Sequence, residues 1–83
     1  MAITDPTLSA LVNIVARTGV DVSEYPYLHE QIGDDFILEL TLNGLIKHNT
    51  PISEELFVKA KEQAEATQDP DIIGCLDRLR VSD

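Results

Sequence analysis

The sequence predicts an all-α fold, a small irregular bundle of four or five short helices, on three observations. Three of the four prolines follow a good helix N-cap residue, in Asp5-Pro6, Thr50-Pro51 and Asp69-Pro70. Proline suits the first helical turn because its missing N–H has no intrahelical partner there. Gly19 and Gly33 stand where helices beginning near Pro6 and Pro26 would end, in the role of left-handed C-caps. Apolar residues recur at spacings of three and four through most of the chain.

The first helix is expected from Thr7 to Thr18, where Leu8, Leu11, Val12 and Val15 form one stripe. A second, short helix runs roughly from Glu24 to Ile32, capped by Ser23, with Pro26 in its first turn and Leu28 and Ile32 four apart. The third segment, Asp34 to Asn49, is ambiguous. Phe36, Leu38, Leu40 and Leu42 alternate with Ile37, Glu39 and Thr41, and Asn43-Gly44 is a hairpin-turn signal. Residues 36–48 therefore have a minority reading as a β-hairpin, which would make the fold α+β. A two-residue turn would, however, pair Leu42 with Leu45, Leu40 with Lys47 and Leu38 with Asn49, setting an apolar face against a polar one. A helix capped by Asp34 instead places apolar groups around most of its circumference, as suits the middle of a bundle. Gly44 then costs ~1 kcal/mol relative to alanine and leaves room for a neighbouring helix to come close. The fourth helix is expected from about Ile52 to Thr67, aligning Leu56, Phe57, Ala60 and Ala64 among strong helix formers. The last runs from Asp71 to Val81, with Ile72, Ile73, Leu76 and Leu79 at helical spacing and Arg78 and Arg80 near its C-terminal end.

The 83 residues carry 6 Lys+Arg against 15 Asp+Glu, a formal charge of −9, and 43% are apolar. Such a chain is expected to form one helical domain, residues 1–83, with enough apolar surface for a core. The carboxylate excess argues against direct contact with nucleic acid or an anionic membrane, both of which require neutralising negative charge. No apolar run approaches the ~20 residues of a membrane span, and residues 1–6 lack the basic stretch of a signal peptide. A cytoplasmic location is the expectation, and the single cysteine, Cys75, fits a reducing compartment. Nine of the 15 acids are expected as helix caps, first-turn residues or immediate flanks: Asp5, Asp21, Glu24, Asp34, Asp35, Glu54, Glu55, Asp69 and Asp71. The other six, Glu30, Glu39, Glu62, Glu65, Asp77 and Asp83, equal the basic residues in number.

Catalytic chemistry finds little support. Cys75 lies in the apolar stretch from Ile72 to Leu76, where burial would raise its pKa, and a small buried hydrophobe is the simpler reading. A small enzyme using Cys75 with His29 or His48 is the remote alternative. The two histidines have no recurring zinc spacing, so neither metal nor cofactor is expected. Asp69, Asp71, Gly74 and Asp77 fall on positions 1, 3, 6 and 9 of a calcium loop, but Ile73 and Arg80 occupy positions 5 and 12, where ligands are needed. The pairs Asp34-Asp35 and Glu54-Glu55 sit at expected helix starts, and adjacent helical residues do not converge on one substrate atom.

Binding is better supported. Tyr25 and Tyr27, beside Glu24 and Leu28 and followed by Glu30, either edge the core or form a contact site with an acidic rim. The expected function is a small, acidic, non-catalytic protein-binding module, regulatory or adaptor in kind, whose partner is another protein, basic by charge complementarity. A surplus apolar face on the third segment would also suit a homodimer. The alternative is an acidic antagonist, of DNA-mimic or nuclease-immunity type, filling the cationic groove of a nucleic-acid-binding protein.

Overall fold

The structure, a computed structural model, describes residues 5–82. Helix α1 spans Pro6–Arg17, α2 Tyr25–Ile32, α3 Asp34–Lys47, α4 Glu54–Thr67 and α5 Pro70–Cys75, and a short 3-10 turn follows at Leu76–Arg78. The fold is all-α, a small helical bundle, and the hairpin over residues 36–48 is not formed: α3 runs straight through it.

Central to the bundle is α3, which touches α1, α2, α4 and α5. It buries Ile37, Leu38, Thr41, Leu42 and Leu45, a series at i, i+1, i+4, i+5 and i+8. In a strand, Ile37 and Thr41 would point away from Leu38 and Leu42; both are 0% exposed. Thr41 brings a hydroxyl into the core, and its Oγ1 donates back to the Ile37 carbonyl at 2.6 Å, so no buried polar atom is left unpaired there. Gly44 lies against α1: a β-carbon built on it would stand 3.3 Å from Val15 Cγ1. The absence of that atom sets how closely α1 and α3 approach.

The expected stripe of α1 is the observed one, with Leu8, Leu11, Val12 and Val15 all buried. Asp5 caps the helix by accepting from the Leu8 N–H at 2.9 Å. The same Oδ1 accepts from Gln63 Nε2 at 2.8 Å, which ties the start of α1 to α4.

Four boundaries differ from expectation. Ser23 does not cap α2: its N–H, at 2.9 Å, and its hydroxyl both turn back to Asp21 in a local turn, and Glu24 holds the N-cap position without a side-chain bond. Asp34 does not cap α3. Gly33 both ends α2 and starts α3, at φ +112°, a value that residues with a β-carbon resist. The Thr50-Pro51 pair does not open α4, which begins at Glu54 with Ser53 Oγ accepting from the Leu56 N–H at 3.1 Å. Finally, the last helix stops at Cys75 and its 3-10 extension at Arg78, and Leu79 is already extended at φ −73°, ψ 144°.

The last two differences share a cause. Ile52 is 2% exposed and lies outside any helix, so its buried backbone groups need partners. The C-terminal segment supplies both: the Ile52 N–H donates to the Arg80 carbonyl at 3.0 Å, and the Ser82 N–H donates to the Ile52 carbonyl at 2.8 Å. One parallel bridge, Ile52 to Val81, results. A helix continued to Val81 would forfeit it.

Candidate partner-binding surface

Helix α2 carries the five residues singled out from the sequence, and it divides them. Residues two apart on a helix are about 200° apart around its axis, so Tyr25 and Tyr27 face opposite ways. Tyr25 is 6% exposed and belongs to the core, whereas Tyr27 is 63% exposed. Burial pushes the Tyr25 phenol above its ordinary range. Leu28 is half-buried and packs on the core beside it. Glu24 and Glu30 are exposed, one helical turn before and after Tyr27, on the same outward stripe. The outward face of α2 therefore carries a single tyrosine between two carboxylates, and Tyr25 and Leu28 lie on its core side. Ile32, at the end of α2, is also exposed.

Cys75 is buried at 2% exposure. Its Sγ lies 3.4 Å from the Asp71 carbonyl, 3.8 Å from Asn43 Oδ1 and 3.6 Å from Arg78 Nη2, and neither histidine is among these neighbours. His29 Nε2 instead bonds Asp34 Oδ1 across the α2–α3 junction, and His48 is exposed just past the end of α3. The sequence carrying the incomplete calcium pattern forms the start of α5, where Asp69 Oδ1 accepts from the Asp71 N–H at 2.9 Å. Among the described residues no group of three or more His, Cys, Asp or Glu side chains is placed to hold a metal ion.

The carboxylates follow the helix starts. Asp5 and Asp69 are side-chain caps, Glu24 occupies an N-cap position, and Asp34, Asp35, Glu54, Glu55 and Asp71 lie in first turns. Asp21 closes the turn before α2, where the Ser23 hydroxyl and N–H hold its carboxyl below the ordinary range. Asp83 lies outside the described residues. Two of the starts converge, so that Asp5, Asp34 and Asp35 share a recess of about 200 Å³ with Gln63 over an apolar floor of Leu38 and Ala66.

A second recess was not foreseen. Between α4 and the α5–3-10 segment lies an open groove of about 400 Å³, lined by Phe57 from α4 and by Ile73 and Leu76 from the segment facing it. Phe57 and Ile73, which stand on the expected apolar stripes of their helices, are half-buried: they pack on the core and also line the groove. The signal for it in the sequence is slight: an aromatic ring, Phe57, on a helix whose buried positions are the small Ala60 and Ala64. No described helix is long and apolar enough to cross a membrane. In comparisons with known proteins, the chain matches no family model, no curated protein and no solved structure.

Proposed function

We propose that the protein is a small, non-catalytic protein-binding module, a regulatory or adaptor component of the cytoplasm, whose contact stripe is Glu24, Tyr27 and Glu30 on α2. One observation carries the reading: Tyr27, at 63% exposure, is the most exposed large hydrophobic side chain among the described residues. An exposed tyrosine offers contact area at low entropic cost. The flanking carboxylates and the charge of −9 favour a basic partner and a fast, salt-sensitive encounter. The antagonist reading has weaker support, because the carboxylates track the starts of all five α-helices rather than one continuous face.

The test is capture of partners from the source cell by wild-type protein and by Tyr27→Ala at low and high salt. Tyr27 is a surface residue, so the variant should melt with the wild type and lose the captured partner. A partner retained by Tyr27→Ala removes the α2 stripe from the reading. Capture of a basic nucleic-acid-binding protein, abolished by ~0.5 M salt and indifferent to Tyr27, would favour the antagonist instead.

A further inference from the structure

The groove between α4 and α5 is on a different part of the molecule from the Tyr27 stripe: α2 packs on α3, and the groove belongs to α4 and the segment after it. We infer that this groove is a docking site for a basic amphipathic helix of another protein. Its apolar lining comes from Phe57, Pro70, Ile73 and the nearly buried Leu76. A groove between two helices receives a third through anchors one turn apart, at i, i+3 or i+4, and i+7.

Charge selects the occupant. Each wall carries a carboxylate at the groove, Glu65 on α4 and Asp77 on the 3-10 turn, so a helix lying between them meets negative charge on both flanks. Lys61 is the one cation in the lining, one turn before Glu65, and leaves a place for a single acid on the incoming helix. A second copy of the chain would bring another −9 to this face and is the poorer occupant. Gly74 also lines the groove: it is exposed, and a β-carbon there meets nothing within 4 Å.

That vacancy supplies the test. Gly74→Gln adds a side chain at the groove from a helical position where the new β-carbon meets nothing within 4 Å, and Glu65→Lys with Asp77→Lys reverses both flanks at the surface. The probe is a Lys-rich peptide of about four turns with leucines at i, i+3, i+4 and i+7, alongside a scrambled peptide of the same composition and charge. Binding is followed by anisotropy and by amide chemical shifts of the full-length protein. The expected result is binding at least tenfold tighter for the patterned peptide, shifts centred on Phe57, Ile73, Gly74 and Leu76, and a tenfold or greater loss in both variants. Thermal melting of each variant checks that it is folded. Equal binding of both peptides, shifts away from the groove, or unchanged affinity in Gly74→Gln overturns the inference. So does concentration-dependent self-association of the protein that Gly74→Gln abolishes, since the occupant is then a second copy. Tyr27→Ala should leave peptide binding unchanged, which keeps the groove separable from the α2 stripe.

Discussion

Gly44 and Val15 show how one missing side chain can place two helices. Alanine at 44 would gain ~1 kcal/mol of helix propensity. It would also set a methyl 3.3 Å from Val15 Cγ1, and Val15 is fully buried and, being β-branched in a helix, held to one rotamer. Overpacking of that kind costs about 1–3 kcal/mol, so Gly44→Ala should be destabilising by about 1 kcal/mol in urea unfolding. In a Val15→Ala background the same change should stabilise, because the obstacle is gone while the propensity gain remains; equal effects in both backgrounds would mean that Val15 is not the contact that matters. Asp5 is the second residue with a decidable role. The Leu8 N–H first, and then the Gln63 amide, hold its carboxyl below the ordinary value of 3.8. A depressed folded-state pKa means that the ionised form contributes stability above the unfolded value and loses it as pH falls through the folded one. Asp5→Asn keeps a capping oxygen but no charge. It should therefore be the less stable protein near pH 7, by about 0.3–1 kcal/mol, and the gap should close as pH falls below 3.8; a gap independent of pH would assign the effect to hydrogen bonding alone.

Elements differ in how they are stabilised, and the C-terminal segment depends on one residue far from it in sequence. Ending the chain at Leu79 removes both backbone bonds to Ile52, whose N–H and carbonyl are then left without those partners at a 2% exposed position. The expected loss is about 1–3 kcal/mol, together with fast hydrogen exchange at the Ile52 amide, which should be slow in the full chain; continued protection of that amide would show that another group takes it over. This element could not have been read from the sequence, because helical spacing at Ile72, Ile73, Leu76 and Leu79 continues past the point where the helix stops. The competing interaction is non-local and leaves no pattern in the segment itself. By contrast, α1 has one apolar stripe between a cap and a glycine, and every link from residue to element agrees. The ambiguity at α3 had a physical origin: a helix packed on four neighbours is apolar nearly all round, and such a helix resembles a strand in periodicity. The pairing test resolved it, since the second strand failed to present an apolar face. On α2 the spacing of Tyr25 and Tyr27 already separates them once the segment is helical, so the division of that site was available from the helix prediction. The groove was not, because half-burial of Phe57 and Ile73 depends on how α4 meets α5.

At the scale of the molecule the charge of −9 is held within a radius of gyration of 11.6 Å. Two effects of opposite sign follow. Carboxylates in first turns are attracted to unpaired helical N–H groups by ~0.3–1 kcal/mol each at low salt, an effect that falls off within the turn. The excess negative charge repels itself across the whole protein, whose longest extent is 31 Å. At ~0.01 M salt the screening length is about 30 Å, so nearly every pair of carboxylates interacts, whereas at ~0.15 M it is about 8 Å and only neighbours do. Screening therefore removes the long-range repulsion before it removes the attraction at each helix start, which acts within a single turn. The exposed Lys59–Glu55 pair, at 3.5 Å, changes this little, since such pairs contribute about 0–1 kcal/mol. The melting temperature should accordingly rise between ~0.01 and ~0.15 M sodium chloride, by about 4–8 °C for each kcal/mol of repulsion relieved in a domain of this size. Chloride is the right anion for the measurement, because sulfate would also strengthen apolar burial. A fall over the same range would mean that the helix starts outweigh the repulsion, and that the acidity of this chain acts first on its own fold.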